Sequence, residues 1–482
     1  MIYDSFVSWM KDRSRDSHRV ILASVEFPYI GKILRYSNMP FTNRYGSYSD
    51  DWLTEYPIVD SKLGETSIST SFKAKNNNKE NMFLLQNEYG ILTVSTFDET
   101  ENDPANVDNV WFIYQGSLSE IIDSGGGVFE FRSNSSLQGS TQKEFNRDRT
   151  LFNSIKARVP VCAGKPLNTT PEFVMTSSGY YYYCYSHTPA AVAAPALRIN
   201  GIAKAATNSN LASSWVGFNT MPSGLVTADA NVSSIGTVKT AFEHFALQAN
   251  IPLIKFTGLT PTQLGYEIGF YSPSADTLTH AQVLEALAAS CHCHLSATET
   301  GAVNVVSLSN DNTSDIEITD HDVIDGTIKH VSTVPPKKEV RVRYGKNWSV
   351  QGSDKLSTGA DISKYSKEWL YVGGVNTLLD TGTAEFLNNS SEDNEISIDT
   401  LLINAADATT ELNYWLDRMS KTKFVYSMDV YLLGHYLYVG KRVKLNLSEF
   451  KNADIYADVV RIIKDSGSYV STIEVLFSWQ GV

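Results

Sequence analysis

The sequence predicts a mainly β protein in which an α+β domain is inserted between two small antiparallel β modules. Three observations predict it. Tyrosine and phenylalanine are abundant, 25 and 21 residues, and β-branched runs recur, a composition that suits pleated, half-buried surfaces. Short apolar runs separated by turn-forming residues occupy both ends of the chain. Helical spacing is clear in three places, all in the interior or just before the last strands. A chain of 482 residues is too long for one ordinary core, so about two to four domains are expected.

Residues 1–17 read as an N-terminal amphipathic helix with Phe6, Trp9 and Met10 on one side. They lack the basic start and apolar block of a signal peptide. Over 18–155 the strand-like runs RVILASVEF, KILRYSNMPF, MFLLQ, GILTVSTF, VWFIYQG and GVFEFRS alternate with polar loops, predicting a β-barrel or sandwich. One of those loops, from Asp98 to Asp103, is acidic. It lacks the ligand spacing and glycine of a calcium loop, so a solvated loop is expected.

The texture changes near Val159, and 156–235 reads as a β-rich connecting domain. Tyr180 to Tyr185 is all tyrosine apart from Cys184. A nucleic-acid stacking platform needs Arg or Lys beside its aromatics, and none lies between Pro166 and Leu197, so packing is expected.

Residues 236–330 read as the inserted α+β domain. After Thr237, the apolar residues Val238, Ala241, Phe242, Phe245, Ala246 and Ala249 share one helical face, and Asn250 suits the stop. A second helix opens at Thr279, with Gln282 three residues on as a capping box; its face is Val283, Leu284, Leu287 and Cys291. LSATETGAVNVVSL then predicts a hairpin turning near Gly301.

Residues 331–482 read as the second β-barrel with one helix. That helix runs from about Ala405 to Ser420, with Ala408, Leu412, Trp415, Leu416 and Met419 on one side and Trp415 expected to cover a barrel end. Phe424, Tyr426, Met428, Val430 and Leu432 share one strand face; Val443, Leu445 and Leu447 share another. DIYADVVRIIKD and YVSTIEVLFSW flank a tight turn at Asp465–Ser468.

Chemistry is conspicuous by its missing signatures. The Gly-Lys pairs at 31, 164, 345 and 440 lack the rest of a phosphate loop, and no zinc-protease, nucleophile-elbow or dinucleotide motif occurs. Asp320-His321-Asp322 sets a histidine between carboxylates, but neighbours on a strand or turn diverge, and a solvent-facing loop is expected. Cys291-His292-Cys293-His294 has metal-ligand residue types. On a strand its side chains alternate between faces and do not converge. Cys162 and Cys184 are placed to meet across two strands; with one such pair in a long chain, free thiols in a core are expected. The expectation is therefore no catalytic, cofactor-binding or metal residue, and no cofactor.

The formal net charge of −13 disfavours sequence-independent DNA binding, which needs clustered cations. No apolar run approaches the roughly 20 residues of a spanning helix.

The order of segments resembles the tail tip or baseplate hub proteins of long-tailed, siphovirus-like bacteriophages and gene transfer agents, themselves similar to the central hub of contractile phage baseplates. Four stretches carry the likeness: RVILASVEF followed by LRYSNMPFT; VPVCAGKPLNTTPEFV through LRINGIA, with Gly164, Asn168 and Pro171 as a G-x-x-x-N-x-x-P pattern; the two helices leading through LSATETGAVNVVSL to ITDHDVIDGTIKHV and VRVRYGKNW; and LGHYLYVGKRVKLNL leading into the last two strands. The resemblance implies two barrels related as pseudo-repeats, so that three subunits present six similar barrels to a hexameric tube. It implies a homotrimeric virion protein, assembled in the host cytoplasm. Such a protein closes the tail tube, adapts sixfold to threefold symmetry and gates genome ejection during host cell entry. Its partners would be a distal tail protein ring or tail tube, the tape measure protein, and a central fibre or receptor-binding tip protein. Some such hubs end in a cysteine-ligated iron–sulfur domain; this chain has no cysteine after Cys293, so no cluster is carried over. The alternatives are a cell-wall or polysaccharide-degrading tail enzyme, and a distal tail ring or fibre-base protein.

Overall fold

The computed structural model of the chain describes residues 19–28, 32–38, 41–43, 46–48, 53–62, 68–75, 91–98, 111–126, 128–134, 144, 148–151, 155–187, 194–251, 254–298, 303–308, 313–314, 316–377, 394–431, 437–451, 454–465 and 470–478. The expected helix at 1–17, the MFLLQ strand, the acidic loop beyond Asp98, Gly301, Leu432 and the turn at 466–469 lie outside them.

The chain is mainly β. At its N-terminal end are β1 (Arg19–Phe27), β2 (Lys32–Ser37), β3 (Leu53–Lys62), β4 (Ser69–Lys75), β5 (Ile91–Asp98), β6 (Trp111–Gly125) and β7 (Val128–Asn134). They pair antiparallel in the order β2-β1-β5-β6-β7-β4-β3. Alternation sends Ile21, Ala23 and Val25 of β1, Phe72 and Ala74 of β4, Leu92 and Val94 of β5, and Phe129 and Phe131 of β7 to one buried face. Each of the phenylalanines contributes about 1.5–3 kcal/mol by its burial. Tyr36 of β2 lies 6.0 Å from Phe72 and 5.4 Å from Phe131, ring to ring, so the sheet curls until its far strands meet.

The last barrel comprises β8 (Glu317–Thr319), β9 (Lys329–Val334), β10 (Lys423–Tyr431), β11 (Arg442–Asn446), β12 (Ile455–Asp465) and β13 (Val470–Ser478). Strand β8 runs parallel to β11, and β11-β12-β13-β10-β9 continue antiparallel. A bridge from Val323 to Val430 brings the segment after β8 against β10 and closes the ring. Its separate core holds Met428, Val430, Val443, Leu445, Leu447, Ile473 and Val475, each fully buried, with Phe424 and Tyr426 packed against it. This is the register the alternation predicts.

Both barrels belong to one 13-stranded sheet, because β3 pairs with the second half of β12. Strand β12 hands one edge from β11 to β3 at an irregularity between Val459 and Arg461.

Most of the chain between β7 and β10, apart from β8 and β9, forms a central body. Its helices are α1 (Val238–Gln248), α2 (Pro261–Leu264), α3 (His280–Ala289), α4 (Ile362–Tyr365) and α5 (Ala405–Arg418). Thr237 and Thr240 form a capping box for α1, the five predicted apolar residues from Val238 to Ala246 are buried, and Asn250 adopts φ 57°, the left-handed stop. Thr279 and Gln282 cap α3 as expected. The 293–297 and 303–307 strands form the predicted hairpin, and 254–257 adds parallel to it. Helix α5 packs on a sheet of 339–344, 370–375 and 395–399.

Two expectations about position change. The sequence division put 236–330 in the inserted domain and 331–482 in the last barrel. Strands β8 and β9, within 317–334, lie in the last barrel's sheet, whereas Val340, Val342, Leu402, Ala408 and Leu412 join the core shared by the central body and first barrel. Trp415 packs against that shared core and not against the separate core of the last barrel. Period-2 text marks a strand without naming its sheet, so a chain that leaves one body and returns is not visible in it.

Candidate functional site: the junctions between barrels and central body

Among the described residues no group of three or more His, Cys, Asp or Glu is arranged to hold a metal. The built polar features lie instead where the bodies meet.

The first junction joins the barrels. Arg461 of β12 donates Nη2 to Asp60 at 2.7 Å and Nε to its other oxygen at 3.1 Å, while Nη1 reaches Glu474 of β13 at 3.1 Å. One guanidinium thus ties three strands together, two of them from opposite ends of the chain.

At the second junction the turn after α3 meets α5. His292 has φ 44° and donates Nδ1 to Glu411 at 2.7 Å. Its Nε2 accepts from the Gln263 amide at 2.8 Å, and Gln263's oxygen completes the capping box of α2 with Thr260. These partners select the neutral Nδ1–H tautomer. Tyr414 stacks on the ring at 3.6 Å, 14° from parallel, and donates its hydroxyl to the Leu308 carbonyl. Glu411 is fully buried, and burial raises its carboxyl above the ordinary carboxylate value.

The third junction fastens the end of α5 to the last barrel. Arg418, in the last turn of α5, donates to Asp458 of β12 at 3.2 Å, and Arg442 of β11 donates to the other oxygen at 2.8 Å. The Arg418 and Asp458 side chains are 8% and 2% exposed, so this pair, unlike a surface ion pair, is desolvated. Lys423 of β10 is buried beside it; burial, then Arg418, push its ammonium down to about 7. Nearby, Gly440 has φ 89°, and a Cβ there would lie 2.2 Å from Val306 of the central hairpin, so only glycine lets the bodies approach.

The candidates singled out in the sequence take structural places. Cys291 begins no strand: it follows α3 and bonds back to Leu287 and Ala288, Cys293 bonds to the Cys291 carbonyl, and His292 turns to Glu411. The four heads do not converge. Asp322 caps its own turn through Thr319, Asp320 receives the Ser448 amide, and His321 is exposed. Cys162 and Cys184 are buried, form no disulfide, and donate their thiols to the Tyr185 and Ser186 carbonyls. Tyr182 meets Trp215 edge-on at 5.0 Å, and Tyr183 meets Phe218 at 5.8 Å, which is packing. In the G-x-x-x-N-x-x-P stretch, a Cβ on Gly164 would collide with the Ile268 carbonyl at 1.9 Å, and Asn168, at φ 52°, donates to Asn347 and Ser349.

The sequence reading missed Glu411, Arg418 and Asp458. The signal was present for two of them: Glu411 and Arg418 fall within the apolar stripe of α5, where an exposed charge is not expected.

No family model matches the chain, and no curated protein matches it in sequence. Solved structures similar to it include the 43 kDa tail protein of prophage MuSo2 from Shewanella oneidensis, at 9% identity and TM-score 0.44, covering 95% of this chain and 98% of that one. A tail protein from Neisseria meningitidis MC58 is 11% identical with TM-score 0.44, covering 96% and 97%. Prophage tail protein gp18 from Listeria monocytogenes EGD-e is 7% identical with TM-score 0.45, covering 96% and 94%.

Proposed function

We propose that the chain is a structural virion protein of a phage-type tail, the homotrimeric hub at the tail tip. The observation that carries this reading is the junction of the two barrels. Edge pairing of β3 with β12, locked by Arg461, holds two barrels with separate strand sets at a fixed spacing inside one chain. An adapter between sixfold and threefold rings needs such a unit: three chains then offer six barrels to a tube, and the other face keeps threefold symmetry. The order of sequence segments supports the same reading.

In this role the central body braces the barrel pair through buried polar contacts, and the hub closes the tube, anchors the tape measure protein and opens for genome passage. The partners are the tail tube or distal tail ring above and a central fibre or tip protein below. The reading is of a non-enzymatic protein: incubated with host cell wall, it releases no soluble sugar or peptide. Light scattering of the assembled protein tests the oligomer. Three chains of 53.4 kDa give about 160 kDa; a stable hexamer or dodecamer overturns the hub.

A further inference from the structure

The two barrels repeat each other strand for strand. In the first, antiparallel pairing runs β5-β6-β7-β4-β3, and in the last it runs β11-β12-β13-β10-β9. In both sets the strands come in the same chain order, so β9 stands where β3 stands and β12 where β6 stands. Local detail keeps the same correspondence. Each long strand carries an irregularity, between Leu118 and Glu120 in β6 and between Val459 and Arg461 in β12. The residues there echo one another, Leu118-Ser119-Glu120-Ile121-Ile122-Asp123 against Val459-Val460-Arg461-Ile462-Ile463-Lys464. The cross-strand ion pair recurs with its signs reversed: Glu120 meets Arg132 at 3.1 Å, and Arg461 meets Glu474 at 3.1 Å.

Only one of the two equivalent joints is filled within the chain. One edge of β12 receives β11 as far as Asp458 and then β3 over 461–465. The matching edge of β6 receives β5 as far as Ser117, and among the described residues no strand pairs with it over 118–125. Strand β9, the counterpart of β3, pairs only with β10 among the described residues. All six of its residues are exposed, Val331 at 50% and Val334 at 39%. An exposed edge strand carrying apolar side chains is a template for another strand. We propose that these two edges pair with each other between copies: β9 of one chain adds antiparallel to 118–125 of the next, as β3 adds to β12 within the chain. The pairing rests on the trimeric hub reading and names the surface that joins its subunits. Such a head-to-tail contact closes into a ring at a fixed copy number, three in that reading.

Equivalence of the barrels also sets the register. Ser71 faces Arg132 as Ser427 faces Glu474; two residues earlier, Ser69 faces Asp60 as Val425 faces Ser332. Ser332 is therefore the counterpart of Asp60. In the filled joint Ile463 faces Asp60, so between copies Ile122 faces Ser332. That register sets Val334 diagonal to Ile122 on one face and brings Lys329 and His330 beside Asp123. The charges agree with it. In the filled joint the base, Arg461, lies on the long strand and the acid, Asp60, on the edge strand. In the open joint the long strand carries the acids Glu120 and Asp123, and the edge strand carries the cation Lys329. Opposite charges across a strand pair stabilise it and like charges oppose it, so each edge strand suits its own long strand.

The test is a cysteine cross-link in assembled tails. Facing residues of an antiparallel pair have Cα atoms about 4.5–5.5 Å apart, within reach of a disulfide. The chain's own cysteines, Cys162, Cys184, Cys291 and Cys293, are buried. Oxidised tails carrying Ile122→Cys and Ser332→Cys in the same chain should give a covalent species of three chains on a non-reducing gel. Tails carrying either change alone should give single chains. Three copies at the tip with no link in the double variant overturn this interface and leave the hub standing. Linked species of more than three chains overturn the threefold hub and leave the interface standing. A link in either single variant means that like edges meet, and overturns the pairing. If the double variant does not assemble, hydrogen exchange of the unaltered chain, free and in tails, decides. Amides in both 118–125 and 329–334 should slow on assembly, and unchanged exchange in either segment overturns the pairing.

Discussion

Arg461 closes a fork on Asp60, a residue 401 positions earlier in the chain, with contacts of 2.7 and 3.1 Å. The pair sits where two barrels become one sheet, and it turns a chance adjacency of edges into a defined register: Arg461 opposite Lys62 and Ile463 opposite Asp60.

Because both side chains are about a third exposed, the fork is worth only about 1 kcal/mol. Arg461→Leu and Asp60→Asn should each lower stability by about that amount, and the double variant should cost less than their sum. Denaturant melts of the four proteins measure the coupling. Strict additivity would mean that the backbone pairing alone holds the barrels.

The core of the last barrel is tested by neighbours on opposite faces of β10. Met428 is fully buried, so Met428→Asp places an unpaired carboxylate in the core and should cost several kcal/mol. Asp429 is half-buried and accepts a bond from Thr472, so Asp429→Ser should cost about 1 kcal/mol or less. Thermal melts in the reverse order would invert the strand's register.

At Gly440, a methyl group meets Val306 and the backbone has φ 89°. Gly440→Ala should cost about 2 kcal/mol or more, from strain and collision together. Adding Val306→Ala should return only the collision part, a partial rescue visible in melting temperature. No rescue would place the cost wholly in the backbone.

Glu411 gives a pH prediction. Its folded-state value is raised by burial, so its contribution is fully present below the ordinary 4.5 and lost as pH rises through the folded value. Glu411→Gln keeps an acceptor for His292 and does not titrate. The melting temperature of the variant minus that of the parent should therefore grow as pH rises above 4.5, then level off. A difference constant between pH 4.5 and 8 would show that Glu411 titrates normally.

What the sequence made legible was local. Thr237, Thr279 and Asn250 announce helix ends because capping depends on a few adjacent residues. Met428, Val430 and Val443 announce buried faces because strand periodicity is two. The junctions were not legible. Nothing local distinguishes Arg461, Asp60 or Asp458 from surface charges, and the place of Arg418 in the apolar stripe of α5 marks its burial without naming its partner. The same limit explains why 339–418 read as part of the last barrel: its strands and helix have the right periods, but their partners are fixed only by tertiary packing.

The central claim is that each chain supplies two barrels to a ring of six. Averaged electron micrographs of isolated tails, with this chain labelled at its C-terminus, measure it most directly. Three labels around the axis at the tail tip are the predicted result. Six or twelve labels around the axis, or labels distributed along the tube, would contradict the account.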